Sequence, residues 1–284
     1  MANFKWMLAA GSKHTICPAC RKKTFKPYVS SADGKTPANA DKYGRCERIN
    51  SCGYIAYPHS EEGRAAPSPE PPRPPKPPSF VPADIVKATF CAFETNIFFG
   101  YLVRLFGLEV ASALQEKYNI GTAKGGGTIF WQQDKEGNFR TGKVFYYSSN
   151  GKRRKDRPSW FIHGKISPHF NLQQVFFGEH LTLGAERVAL VESEKTAVIM
   201  SVFYPDTTWV AAGGAQMLNI ERLSRLSRLD RVYPDEGQFD LWRSKTHLFL
   251  ERAMDYSVEI AVKDGRLPSG ADILDLELKV RGLS

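Results

Sequence analysis

Cysteine is scarce after residue 52: of five in 284 residues, only Cys91 lies beyond that point. A disulfide framework is therefore excluded for most of the chain. Also lacking is an uncharged apolar run long enough to cross a bilayer. The most apolar stretch, residues 90–107, is interrupted by Glu94 and Arg104. The opening residues MANFKWMLAAGSKH contain no h-region of a secretory leader, so a cytoplasmic location and no membrane partner are expected. No internal repeat is present. Acid is the scarcer charge: 30 Asp+Glu against 39 Lys+Arg leave a formal +9, which suits a polyanionic partner such as nucleic acid. With 42% hydrophobic residues, the length allows about two domains with ordinary cores.

Proline is concentrated. Between Pro67 and Pro78, PSPEPPRPPKPP holds eight prolines in twelve residues. Such a segment favours extended polyproline II, spanning on the order of 37 Å, and reads as a semi-rigid spacer rather than as an SH3-type ligand. It divides a module at 1–60 from folded sequence beyond a linker at 61–82. After Pro82 a helical periodicity covers about 83–117. Thr128-Ile-Phe-Trp-Gln132, the turn Asp134-Lys-Glu-Gly137 and Lys143-Val-Phe-Tyr-Tyr147 then read as a β-hairpin, and 159–183 has no clear pattern. From Arg187 strands alternate with helices: RVALV, helix 194–204, strand 208–211, helix 219–229, strand 230–233, helix 238–254, strand 258–262 and helix 271–278. That alternation predicts an α/β domain with a mostly parallel sheet, preceded by an α+β subdomain.

The first module carries Cys17-Pro-Ala-Cys20, then Cys46 after 25 residues and Cys52 after five more. Two thiolate pairs on two turns close a tetrahedral structural zinc site. His14 and His59 are alternative ligands that read better as exposed histidines. Arg21, Lys22, Lys23, Lys26, Lys35, Lys42, Arg45 and Arg48 are interleaved with Phe25, Tyr28, Tyr43, Tyr54 and Tyr57. Aromatics that stack on unpaired bases beside backbone-tracking cations suit single-stranded nucleic acid. The other reading is that several of these rings are the core of a module with little else to bury. Cys91 reads as a buried thiol.

Two acidic signatures close apolar runs: Val188-Ala-Leu-Val-Glu192-Ser-Glu194-Lys195 and Arg231-Val-Tyr-Pro-Asp235-Glu236-Gly237. Each acid falls where a strand ends and the chain turns toward a helix. Ligands of open parallel sheets bind beyond the carboxyl ends of the strands. Two carboxylates placed there repel unless a cation lies between them, which points to magnesium or manganese. Glu192 can alternatively serve only as a helix cap. Glu194, Glu236 and Asp272 are auxiliary metal candidates, although Asp272 and Asp275 also fit an exposed helix face. Arg140, Lys143, Lys152, Arg153 and Arg154 would contact nucleic acid or nucleotide, or else form a solvated hairpin face. Lys195 is either a phosphate contact or a plain helix-start lysine. Arg222, Arg225, Arg228 and Arg231 step by three and read as the wet side of a helix.

Taken in order, these residues resemble the bacterial-type DNA primase family, zinc ribbon plus toprim, and within it the primase-like toprim proteins of mobile elements. The cysteine ribbon comes first. Gly127-Thr-Ile-Phe-Trp-Gln-Gln-Asp134 with Gly137 and Arg140-Thr-Gly-Lys143 is similar to the hairpin that precedes their catalytic core. Gln174-Val-Phe-Phe-Gly178 is similar to the stretch leading into the toprim fold. Glu192 stands at the position of the toprim glutamate, Gly213 and Gly214 at its glycine turn, and Asp235 at its first aspartate. The second aspartate position is Gly237, and Ser193 replaces the glycine after the glutamate. The resemblance implies a toprim domain at 184–284 after an α+β subdomain at 83–183. It also implies a nucleotidyltransferase making RNA primers on single-stranded DNA, with Glu192 and Asp235 catalytic. Its partners are single-stranded DNA, nucleoside triphosphates and a replicative helicase. A catalytically reduced single-strand-binding protein and a toprim nuclease are the alternatives.

Overall fold

In the computed structural model of the chain, residues 5–11, 14–49, 51–58, 76–246 and 254–283 are described. The chain divides into two units, residues 1–75 and 76–284. Most of the proline-rich segment, and His59, lie outside the described residues.

The first unit is an antiparallel sheet ordered β1 (Trp6–Leu8), β2 (Phe25–Ser30), β3 (Gly44–Cys46) and β4 (Ile55–Ala56). Strand period sorts β2 into two sets. Phe25, Pro27 and Val29 are buried, and Lys26, Tyr28 and Ser30 are half-buried on the other face. Its core is small: Phe25, Cys17 and Cys46, with Cys20, Cys52 and Tyr54 packed around them.

The second unit starts with α1 (Ala83–Lys87) and α2 (Ile97–Lys117). The helix expected over 83–117 is therefore interrupted. Asn96 ends the break by capping α2, its Oδ1 accepting from the Phe99 amide at 3.2 Å and from the Thr128 hydroxyl at 2.8 Å. Gly107, at φ 84, breaks α2 internally. By length and composition alone α2 could cross a bilayer; here Phe98, Leu102, Ala111 and Leu114 bury one side of it in the core. Cys91, between α1 and α2, is exposed and donates to the Ala88 carbonyl at 3.3 Å. It is not the buried thiol expected, because the helix that would have turned it inward ends at Lys87.

An antiparallel sheet follows: β5 (Ile120–Ala123), β6 (Gly127–Gln133), β7 (Phe139–Phe145) and β8 (Trp160–Phe161). The β6–β7 turn is closed by Asp134, whose Oδ1 accepts from the Asn138 amide at 2.7 Å. After the short helix α3 (His163–Ile166) the chain runs extended through Val175, Phe176 and Phe177, all fully buried.

The last sheet is parallel and ordered β10 (Thr208–Ala211), β9 (Val188–Val191), β11 (Arg231–Tyr233). All four β9 residues are buried, as a central strand covered on both faces requires. Helix α4 (Glu194–Phe203) connects β9 to β10, and α5 (Ile220–Leu223) precedes β11. Then come α6 (Phe239–Thr246), α7 (Ser257–Lys263) and α8 (Ile273–Val280). Of the helix expected over 238–254, residues 247–253 lie outside the described residues.

Residues 258–262, expected as a strand, lie in α7. Their β-branched run suggested a strand, but burial falls on Val258 and Ala261 while Ile260 stays exposed, a helical spacing. Among the described residues, a fourth neighbour joins the sheet as a single parallel bridge between Met254 and Val232.

The two sheets of this unit share one core. Tyr118 Oη donates to the Trp209 carbonyl at 3.1 Å, and Phe177 and Ala211 exchange backbone hydrogen bonds. The boundary expected at residue 184 falls inside that core.

Arg222 departs furthest from its expected wet helix face. It is only 4% exposed and donates to the carbonyls of Ala212, Met217 and Val175 at 2.7–3.0 Å. Burial lowers its guanidinium pKa to about 10. Arg225 likewise pairs with the fully buried Glu179 at 2.7 Å. Replacing Arg222 with Met leaves three carbonyls without donors, an expected loss of about 2–4 kcal/mol. Urea unfolding of the variant beside wild type measures it.

Candidate functional site

Two sets of chemistry-bearing side chains emerge. In the first unit the four thiols lie within 4.8 Å of one another. Cys17 Sγ is 3.8 Å from Cys52 Sγ, and Cys20 Sγ is 3.9 Å from Cys46 Sγ. A tetrahedron with Zn–S bonds of about 2.3 Å has edges of about 3.8 Å, so the thiols fit zinc. The residue after each second cysteine, Arg21 or Gly53, takes a positive φ of 59° or 64°, which turns the chain back over its knuckle. The Lys22 amide pulls the Cys20 thiol down to about 6. At Cys52 the Tyr54 amide acts in the same direction, but burial and the three other thiols prevail and push it up to about 11. A cation among the thiols would offset the effect of burial and neighbouring thiols on Cys52. His14 instead pairs with Glu47 at 2.6 Å.

The aromatic residues of the unit divide between both sequence readings. Phe25 is core and Tyr54 packs against it at 5.7 Å. Tyr28 and Tyr57 pair at 5.6 Å on the other face of the sheet. Lys26 stands beside Tyr28 there, with Arg45 opposite Lys26 across the strands.

The second set lies at the carboxyl ends of the parallel strands. In the order β10-β9-β11 the chain leaves β9 toward one neighbour and arrives at β11 on the other side, so the switch point falls between β9 and β11. Glu192 directly follows β9, and Asp235 follows β11 by two residues. Ser193 caps α4, its Oγ accepting from the Thr196 amide. That explains a serine at a position where the resemblance expects glycine. Asp272 caps α8 in a reciprocal box with Asp275, and its Oδ2 accepts from the Thr196 hydroxyl.

These carboxyls disturb one another. Burial, then the charges of Asp272, Glu192 and Asp275, push Asp235 up to about 8. Burial raises Glu192 as well, with Asp272 and Glu194 adding to the shift against the Ala215 amide and Lys143. Asp272 is raised by burial and Asp275. Glu192 Oε2 and Glu194 Oε1 are buried without a hydrogen-bond partner, and Lys143 Nζ stands 3.8 Å from Glu194 Oε1.

Gly213 completes this rim. Its amide donates to the Glu192 carbonyl at 2.9 Å, and Lys143 Nζ donates to its own carbonyl. At φ 81 it favours glycine, and a Cβ there would sit 3.0 Å from Glu194 Oε1. Gly214 follows at φ 135. Gln132 was missed by sequence reasoning: fully buried near Gly213 and Glu194, it leaves both amide atoms without partners. Its signal was the strand period, which places it on the inner face with Thr128 and Phe130.

Other expected residues lie elsewhere. Glu236 is no part of the rim, because its Oε2 accepts from the Ser269 hydroxyl and the Gly270 amide. Arg140 is turned inward onto Asp134 at 2.7 Å and over the Phe80 ring, a buried ion pair instead of a nucleic-acid contact. Lys152, Arg153 and Arg154 are exposed; Arg153 lies over the Phe145 ring, and Arg154 pairs with Asp156. Lys195 is half-buried, reaches the Gly151 carbonyl at 3.4 Å and opposes the acid charge on Asp235 and Asp272. Among the described residues the four thiols are the set of three or more ligand groups lying within 4.8 Å, so the carboxylates are not gathered into an all-protein cage. Magnesium does not need one, since it binds through one or two carboxylates plus water and phosphate oxygens. An orphaned buried oxygen on Glu192 among mutually repelling acids fits such a cation.

Residues 4–66 match a family model described as a zinc beta-ribbon finger. Residues 96–236 match one described as a domain of unknown function, DUF6371. Comparison with curated protein sequences returns no match. Among solved structures, the chain is similar to the primase fragment of the bacteriophage T7 primase-helicase protein. Identity is 16%, with 61% of this chain and 66% of that fragment covered, at a TM-score of 0.40. A likeness at that level assigns neither activity nor site.

Proposed function

We propose that the chain is a primase-like protein of the toprim type, which makes RNA primers on single-stranded DNA at the Glu192–Asp235 rim. One observation supports this reading: half-buried carboxylates follow two adjacent parallel strands at the switch point, and burial with the charges of Asp272 and Glu192 holds the carboxyl of Asp235 up to about 8. Bound there, magnesium or manganese would neutralise charge on phosphate oxygens. Glu192 and Asp235 would hold the ion as carboxylates. Asp272, its oxygens already used by Thr196 and Asp275, contributes mainly charge. Lys143, beside Glu194, supplies a cation for a triphosphate. Glu192, raised by burial, can accept a proton from the attacking 3′-hydroxyl. Tyr28, Tyr57, Lys26 and Arg45 offer the ribbon's open face to template bases. A replicative helicase is the partner that the resemblance suggests.

A second reading, a catalytically reduced single-strand-binding protein, is favoured by Gly237 and by the engagement of Glu236. Gly237 lies at φ 77 and donates its amide to Glu259 at 3.0 Å, so a glycine-specific turn occupies the second acid's position. Magnesium-dependent incorporation of labelled ribonucleotides on single-stranded DNA separates the two. Incorporation that falls on the order of a hundredfold or more in Glu192→Gln supports the polymerising site. Folded, zinc-loaded wild type that binds the strand without incorporation on varied templates supports the second reading. Shortening of the labelled strand would identify a nuclease.

A further inference from the structure

At the opposite, N-terminal ends of the same strands lies a cavity of about 700 Å³, within the usual range of small-molecule sites. None of the rim carboxylates lines it. Strands β9 and β10 supply Ala189 and Trp209, α4 supplies Met200, and α8 supplies Ile273 and Leu276. Three aromatic rings run along one wall. Tyr204 meets Trp209 at 6.1 Å, and Trp209 stacks on Tyr233 at 5.4 Å and 28°.

The charged residues of the lining are unequally committed. Asp230 accepts from the Val188 amide and from Arg228. Asp255 accepts from the Ser257 amide, and Glu277 from the Tyr204 hydroxyl and Arg281. Arg187 and Arg231 are exposed, and their side chains have no hydrogen-bond or ion-pair partner among the described residues. The cavity therefore offers the exposed Tyr204 ring and the half-buried Tyr233 ring on either side of the buried Trp209, an apolar floor and two free guanidinium groups. Asp230 and Glu277 are paired to Arg228 and Arg281, and Asp255 is held by a backbone amide. A ligand suited to that combination is planar at one end and anionic at the other.

We propose that this cavity binds a mononucleotide, the base against the Tyr204–Trp209–Tyr233 wall and the phosphate met by Arg187 and Arg231. The proposal is independent of the function assigned to the rim. It nonetheless has a consequence there. Helix α4 lines the cavity with its last turn and α8 with Ile273, Leu276 and Glu277, while Glu194 and Asp272 stand at the beginnings of the same helices. A nucleotide in the cavity touches the two helices that position part of the rim.

Titration calorimetry of the zinc-loaded full chain without other divalent metal tests the proposal, with AMP, UMP, adenosine and inorganic phosphate as probes. At least one nucleotide is expected to bind about tenfold tighter than adenosine or phosphate alone, since base and phosphate are held together. The Arg187→Gln, Arg231→Gln double variant should weaken it about tenfold or more. Tyr204→Ala should weaken it as well, and Asp235→Asn should leave it unchanged. Both arginines are exposed, so their replacement spares the core. Binding lost in Asp235→Asn but kept in the arginine variant assigns the nucleotide to the rim and overturns the proposal. Phosphate binding as tightly as either nucleotide, or no binding of either at millimolar concentration by folded protein, also overturns it.

Discussion

Removing zinc is expected to unfold the N-terminal unit while leaving residues 76–284 folded. The unit's own core is Phe25 with Cys17 and Cys46, and little else is fully buried. A core that small does not offset the chain entropy of some fifty ordered residues at about 1–2 kcal/mol each. Zinc coordination in comparable modules contributes about 10–16 kcal/mol, and that free energy is folding free energy. The second unit draws nothing from it, having separate clusters around Phe98, Leu190 and Trp131. Amide hydrogen exchange with and without chelator resolves the two units in one experiment. Protection in β1–β4 should vanish while protection in β6, β9 and β10 persists. Metal analysis should return about one zinc per chain, lost in Cys17→Ser, Cys20→Ser. Unchanged exchange in the sheet after zinc loss would show that the thiols pack without holding the fold.

The second large effect concerns Asp235. Its carboxyl is held up to about 8 in the fold and returns to about 3.9 in the unfolded chain. Between those values the folded state keeps a proton that the unfolded state has released. From Asp235 alone, stability of the second unit should therefore fall as pH rises through that window, by about 1.4 kcal/mol per pH unit at most, and level off above it. Glu192 and Asp272 are shifted in the same direction and steepen the fall. Asp235→Asn removes the ionisation, so the variant should be more stable than wild type at pH 8 by a few kcal/mol and nearly equal to it below pH 4. Magnesium should stabilise wild type at pH 8 and leave the variant almost unmoved. Urea unfolding at pH 5 and pH 8, with and without magnesium, covers all four conditions. A wild type indifferent to pH and magnesium would leave Glu192 as a helix cap and Asp235 as a carboxyl with no ion to hold.

Much of this architecture is legible in the sequence because its signals are local. Val-Ala-Leu-Val before Glu192 reads as a buried strand by its shortness and β-branched ends, and the cysteine spacing sets two knuckles within a few residues each. What escaped reading depends on distant partners. Arg222 follows Asn219 by three, a helix-capping spacing, but its three carbonyl acceptors come from segments as far away as Val175. Arg140 looked available until Asp134, six residues back across the turn, claimed it. The run at 258–262 carried strand propensity, and packing of Val258 and Ala261 overrode it. Glu236 was one residue from a metal position by pattern, yet its Oε2 accepts from the Ser269 hydroxyl and the Gly270 amide, more than thirty residues away in sequence.

The core shared by the two sheets has a practical meaning for anyone handling the gene. Tyr118, Phe130 and Phe177 bury themselves with Ala197, Trp209 and Ala211, so a fragment begun at residue 184 carries an apolar face that residues 97–177 were meant to cover. Such a fragment is prone to aggregate, whereas one begun near residue 76 keeps its partner layer. The same dependence restricts recombination. A strand or helix of the rim can be exchanged with a related chain only together with the hairpin that packs on it, so the two layers are expected to be inherited as one piece.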